Sequence, residues 1–218
     1  MRAWHPGGMT TADGSPVEVY RLLPPAGEAE IVHAAIPAGA AVLDLGCGTG
    51  RIAHALMALG HPVTAVDDSP AMLARVRAAK VCSRIEDLQL DRRFAAVLLA
   101  SHLVNAPDSA PVLAAVARHL APGGRAIVEW HPPEWFDTVD DGGGRLGEVE
   151  IRLSGISREA DLLRATVRYA ARGAVWARHF TARRLDQPRL EALLAGAGLR
   201  FGRFLSTDHT WFSAVSGL

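Results

Sequence analysis

The sequence predicts an α/β fold: a mostly parallel sheet with helices on both faces, and an antiparallel β-meander inserted after the fifth strand. Three observations predict it. Between residues 41 and 130, apolar β-prone runs alternate with helical patterns at short spacing. The first run, Val42-Leu43-Asp44-Leu45, passes into a turn with Gly46, Gly48 and Gly50 at alternate positions, and then into a helix. After Trp130 the alternation stops, and three runs of period two follow with turn residues between them.

In chain order, residues 1–27 hold too many glycines and prolines for a long helix, although Glu18 to Leu23 suits one helical turn. Glu28 to Ile36 reads as a short helix ending before Pro37. A strand at 41–45 leads to a helix at 51–59, with Ile52, Ala53, Leu56, Met57 and Leu59 on one face and Gly60 as the stop. Pro62 to Val66 forms the second strand, ending at Asp67-Asp68. Ser69-Pro70 is an N-cap followed by proline at the first helical position, opening a helix expected to run to about Ala79. A weaker third strand falls near Lys80–Ile85, and Phe94 to Ala100 is a buried fourth. A helix at 109–120 ends at Ala121-Pro122-Gly123-Gly124, and Arg125 to Trp130 is the fifth strand.

Beyond it, Phe136 to Gly147, with three consecutive glycines, reads as a loop. Glu148–Leu153, Leu162–Tyr169 and Val175–Thr181 are the strands of the meander. Gln187-Pro188 opens a helix that stops at Gly196 or Gly198, and Leu199–Phe204 with Thr210–Val215 form a closing hairpin.

The bulk composition bounds the function. With 218 residues, 49% hydrophobic and 21% charged, the chain suits one domain with a sizeable core. The 23 basic and 23 acidic residues cancel, so no global field recruits nucleic acid or an anionic membrane. Cys47 and Cys82 make no disulfide framework, no apolar run approaches the ~18 residues of a membrane span, and no signal peptide opens the chain. A reducing, cytoplasmic compartment and a monomer or homodimer are the expectations. The nine histidines show no metal-ligand spacing, so no metal is expected.

The glycine turn identifies the ligand class. A dinucleotide fingerprint would place its third glycine at Arg51; Gly50 comes one residue early, and Asp44 lies inside the strand before the turn. The stretch resembles the first motif, D-x-G-x-G-x-G, of the class I S-adenosylmethionine (SAM)-dependent methyltransferases. VTAVDDSPAML at 63–73 resembles their second motif.

The resemblance implies a Rossmann-like class I methyltransferase fold with a seven-stranded sheet. It divides into an N-terminal arm (1–40), a SAM-binding core (41–135), a loop and meander (136–185) and a C-terminal helix and hairpin (186–218). It also implies SAM as cofactor, bound at Asp44, Gly46, Cys47, Gly48 and Gly50, with Asp67 and Asp68 toward the ribose. Ala100 and Ser101 fall at the methionine end. The acid that the family carries after the third strand is replaced by Arg84, leaving Ile85 and Glu86 for the adenine.

Chemistry on the acceptor is expected at the ends of the fourth and fifth strands. His131 is the candidate general base, because an ordinary imidazole titrates near neutrality. It reads equally as a loop histidine oriented by Glu129 or Glu134. His102 and Glu129 complete the catalytic candidates. Trp4, Tyr20, Asn105, Trp135, Trp176, His179, His209 and Trp211 are candidate contacts to a small-molecule acceptor, with Trp135, Phe136, Trp176 and Trp211 as an aromatic rim. The expected function is methyl transfer to O, N or C of a small molecule. The alternative is a SAM-binding protein without methyl transfer, a cyclase or sensor.

Overall fold

The computed structural model describes residues 10, 11 and 14–217; Trp4 lies outside them. The central sheet has seven strands: β1 (Val42–Leu45), β2 (Val63–Asp67), β3 (Ala79–Cys82), β4 (Phe94–Leu99), β5 (Leu120–Glu129), β10 (Leu199–Phe204) and β11 (Trp211–Ser216). Their order is β10-β11-β5-β4-β1-β2-β3. The five strands from β5 to β3 are parallel, and β11 inserts antiparallel between β5 and β10, with Trp211 opposite Glu129. This bears out the mostly parallel sheet and the closing hairpin.

Helices cover both faces because the strands are apolar on both. Helices α2 (Glu28–Ala35), α3 (Arg51–Ala58) and α4 (Pro70–Leu73) pack on one face around Val42, Ala65, Leu98 and Ile127. On the other, α5 (Ala110–His119) and α7 (Gln187–Gly196) pack around Leu43, Leu45, Val97 and Val128.

The second sheet is a four-stranded antiparallel meander, β6 (Gly142–Leu146), β7 (Val149–Glu159), β8 (Leu162–Ala171) and β9 (Ala174–Arg183). Two short helices fasten it. The segment around α1 (Val17–Tyr20) packs Val19, Leu22 and Leu23 against Val149, Val167 and Tyr169. Helix α6 (Pro133–Thr138) packs Trp135 and Phe136 against Leu163, Ala165 and Ala182.

Three sequence expectations are corrected. The helix expected to reach Ala79 stops at Leu73: Val76 and Ala78 turn into the core, and Lys80 Nζ donates to the carbonyls of Leu73 and Val76 (3.2 and 3.3 Å) that a longer helix would have used. The 136–147 stretch is α6 followed by an edge strand, with Gly143 lying so close to β7 that a Cβ there would stand 2.5 Å from the Ile151 carbonyl oxygen. The turn expected at Gly155–Asp161 is mostly β7, which crosses a register shift between Ser154 and Ser157 and continues to Glu159.

Candidate active site

One cavity of about 490 Å³ lies between the carboxyl edge of the central sheet and the meander. The glycine turn forms its floor. Gly46 and Cys47 both donate their N–H to the Val66 carbonyl (2.9 Å each), which locks the turn onto β2. All three turn glycines have positive φ (72°, 54° and 85°), a region glycine enters without strain.

Asp44 projects from inside β1 and is 2% exposed, with Oδ2 buried and lacking a hydrogen-bond partner. Burial pushes its pKa up to about 7, against the opposing pull of Arg51 and with a small push from Asp67. Such an orphaned acceptor is costly unless a donor arrives, and the ammonium of an amino acid is a donor of the right charge. Cys47 lines the same floor, its thiol pushed up by burial beside Asp44 and Asp67.

Asp67 flanks the turn. Its Oδ2 accepts from Gly48 N–H (2.9 Å) and its Oδ1 from Ser69 N–H (3.0 Å), which holds the carboxylate rigidly at the end of β2. Ile85 Cδ1 and Leu103 Cδ1 crowd the Gly46 Cα, at 3.6 and 2.9 Å from where a Cβ would stand. Gly50 serves the start of α3, where a Cβ would meet the His54 ring at 2.9 Å. Asp68 is exposed, and Glu86 is ion-paired with Arg84. None of Gly50, Asp67, Asp68, Ile85 and Glu86 forms part of the cavity wall, whereas Asp44, Gly46, Cys47, Gly48, Ala100 and Ser101 do.

Strands β4 and β5 deliver the reactive-looking cluster. Ser101 and His102 both have positive φ (56° and 58°), two consecutive non-glycine outliers at a strand end of the kind that concentrate at functional sites. Glu129 Oε2 fixes this turn by accepting from Ser101 N–H (2.6 Å), and it lies 3.5 Å from His102 Nδ1. The His131 ring stacks on Trp135 (3.6 Å between centroids, 6° between planes) and meets the His102 ring edge-on at 3.6 Å.

Burial pushes His102 down to about 4. Burial together with neighbouring His102 pushes His131 down to about 2. Both rings are therefore neutral at physiological pH. Burial pushes Glu129 up to about 7. The expectation that His131 titrates near its ordinary value is thus corrected, and Glu129, beside His102, is the group poised near neutrality.

The remaining acceptor candidates divide. Tyr20 lines the cavity with its ring 3.5 Å from the Cβ position of Gly48, and Thr49 Oγ1 donates to the Tyr20 carbonyl (3.0 Å). Trp135 lines it as expected. Asn105 is 1% exposed and spends its amide on backbone groups. The aromatic rim is otherwise corrected. Trp211 is 4% exposed in the sheet core, and Trp176 packs in the cluster between α1 and the meander. His179 points to the opposite face of β9, bonded to Thr166 Oγ1 (2.9 Å), and His209 stacks on Phe204 (4.2 Å). The wall opposite Glu129 is made instead by Tyr169 and by Ile151, Leu153, Val167, Arg178 and Phe180, the last five of which the sequence reading missed. Strand parity was the available signal, since Arg178 and Phe180 share a face with each other and not with His179. Among the described residues no three His, Cys, Asp or Glu side chains are placed to hold a metal.

A family model described as a methyltransferase domain matches residues 42–124. An uncharacterized methyltransferase of Mycobacterium tuberculosis is 34% identical over 165 residues, 73% of this chain and 64% of that protein, so the match spans just under two thirds of that relative's length. A dTDP-3-amino-3,4,6-trideoxy-alpha-D-glucopyranose N,N-dimethyltransferase of Streptomyces venezuelae is 30% identical over 194 residues, 79% of this chain and 80% of that one. Among solved structures, SAM-bound CalS10, an amino pentose methyltransferase from Micromonospora echinaspora, superposes with a TM-score of 0.65 at 26% identity, covering 85% of this chain and 87% of that one.

The fold and its glycine-turn site define a Rossmann-like SAM-dependent methyltransferase. The chain belongs to the class I SAM-dependent methyltransferase family, and its cofactor is SAM.

Proposed function

We propose that the chain transfers the methyl group of SAM to a small-molecule acceptor held between the carboxyl edge of the sheet and the meander. The observation that carries this reading is the continuity of one cavity from the orphaned Asp44 carboxylate, past Glu129 and His131, to the apolar wall of β7–β9. SAM supplies an electrophilic methyl group. The chain's residues have to bind, align, exclude water and receive a proton.

Asp44 receives the ammonium of the cofactor's amino-acid end at the backbone of the glycine turn, and Asp67, bonded to the N–H groups of Gly48 and Ser69, holds that turn in place. The neutral His102–His131–Trp135 stack shapes the wall without adding charge. Glu129, rather than His131, takes the acceptor's proton, because a group titrating near the working pH accepts and releases it with least cost.

An amine acceptor fits this arrangement best. An amine attacks only when unprotonated and sheds a proton as the new N–C bond forms. A half-buried carboxylate near neutrality matches both needs, and the Streptomyces venezuelae relative is named for dimethylating an amino sugar.

Calorimetry with S-adenosylhomocysteine tests the cofactor half. Wild type should bind, and Asp44→Ala should bind at least about tenfold more weakly. Failure of wild type to bind would sink the reading. For the acceptor half, amino sugars should be methylated in preference to the matching hydroxyl compounds, and the reverse preference would overturn the amine assignment.

A further inference from the structure

A second cleft, of about 450 Å³, opens on the outer side of the glycine turn, between the Tyr20–Pro25 segment, the start of α3 and Arg75. It shares Tyr20, Leu23, Thr49 and Arg51 with the main cavity, so the two are adjoining compartments with Arg51 at their boundary. Three arginines line the cleft and no Asp or Glu does. Arg51 is ion-paired with buried Glu28. Arg21 and Arg75 are exposed and, among the described residues, make no ion pair. His54 adds no compensating charge: its Nε2 accepts from Arg77 N–H (3.0 Å), and burial lowers its pKa further.

Two positive charges facing one concave site without a counterion raise the local concentration of anions. We propose that this cleft is an anion subsite that takes a phosphate or diphosphate carried by the acceptor, while the acceptor's reacting group extends past Arg51 into the main cavity. The inference rests on the reading of the main cavity as the methyl-transfer site. The cofactor's single carboxylate is a poor match for this cleft. Arg51, whose field reaches both Asp44 and Glu129, is the cation that belongs to the cofactor compartment, whereas Arg21 and Arg75 line only the outer cleft.

The probe is inorganic pyrophosphate, titrated calorimetrically at low salt into the full chain already saturated with S-adenosylhomocysteine. Binding is expected, weakening with salt. The Arg21→Glu/Arg75→Glu double variant should lose at least about tenfold in pyrophosphate affinity while its S-adenosylhomocysteine affinity stays unchanged. The proposal is overturned if pyrophosphate does not bind the saturated protein, or if the double variant binds it equally well. It is also overturned if the double variant loses affinity for S-adenosylhomocysteine, which would assign these cations to the cofactor. Any of these failures, with wild type still binding S-adenosylhomocysteine, is distinct from failure of the main reading, in which that ligand itself does not bind.

Discussion

Asn105 grips the backbone of His131 from both sides: its Oδ1 accepts from His131 N–H (2.8 Å) and its Nδ2 donates to the His131 carbonyl (3.3 Å). The same Nδ2 donates to the Arg183 carbonyl at the end of β9 (3.1 Å). One buried amide therefore sets the position of the His131–Trp135 stack and ties it to the meander that walls the cavity. Asn105→Ala leaves three backbone groups short of a partner and is expected to cost about 2–4 kcal/mol of stability. Asn105→Asp keeps the acceptor but turns a carboxylate oxygen toward two carbonyls. Buried against them, the charge should make it unfold at urea no higher than the Ala variant does, and it should share that variant's loss of kcat, with S-adenosylhomocysteine affinity retained in both. Equal affinity losses and unchanged kcat would remove Asn105 from the positioning of the site.

Glu129 and His131 separate by pH. The carboxyl of Glu129 is held at about 7 and is competent as a proton acceptor only when ionised. Turnover should therefore rise as pH increases through that value. Glu129→Gln should remove this limb and lower kcat by about 10²–10⁴. His131→Ala should keep the limb, since a ring pushed down to about 2 does not titrate in the range, and lower kcat through lost stacking on Trp135. A pH limb that disappears with His131 and persists in Glu129→Gln would reverse the assignment.

The cofactor side of this site was legible in the sequence because its geometry is local. A strand, three glycines and a helix occupy consecutive positions from Val42 to Ala58, the capping pair Ser69-Pro70 follows just after β2, and each constrains its own backbone. The acceptor side depends on long-range pairing. Gly142–Gly144 have no strand propensity of their own and become β6 only because β7 presents a full ladder to them. The Ala-rich run after Leu73 has helical propensity but is drawn into the core and the β2–β3 pairing. Trp211 faces the core because its strand inserts beside β5. The shifted pKa values of His131 and Glu129 arise from burial beneath a meander some 20–50 residues away in sequence, which no local pattern encodes.

Asp44 carries a stability cost that the cofactor relieves. Its folded-state pKa of about 7 lies above the ordinary 3.8, so the folded chain binds the proton more tightly than the unfolded chain does. The resulting stabilisation is complete below about pH 3.8 and is lost as pH rises through about 7. Cofactor-free protein should accordingly have a lower Tm at pH 8 than at pH 6. Asp44→Asn should raise the pH 8 value, by an amount equivalent to about 1–4 kcal/mol, while weakening S-adenosylhomocysteine binding. Should the variant be less stable than wild type at pH 8 without ligand, the carboxylate is already satisfied in the free protein and the cofactor role loses its driving force.

Gly46 and Gly60 together separate backbone strain from steric contact. Both have positive φ (72° and 88°), so alanine at either is forced into a region that L-residues occupy at a cost of about 1–2 kcal/mol. A Cβ at Gly60 meets nothing within 4 Å, whereas one at Gly46 stands 2.9 Å from Leu103 Cδ1 and 3.6 Å from Ile85 Cδ1. Gly60→Ala should therefore lose that stability and bind S-adenosylhomocysteine as wild type does. In Gly46→Ala the Leu103 side chain must move, which displaces a residue of the cavity wall together with the floor it covers. The expected result is a stability loss at least as large as that of Gly60→Ala, plus a fall of at least about tenfold in affinity. Calorimetry on the two variants at matched fractions folded reads the difference directly, and equal affinities would mean that the cofactor does not approach the Gly46 backbone.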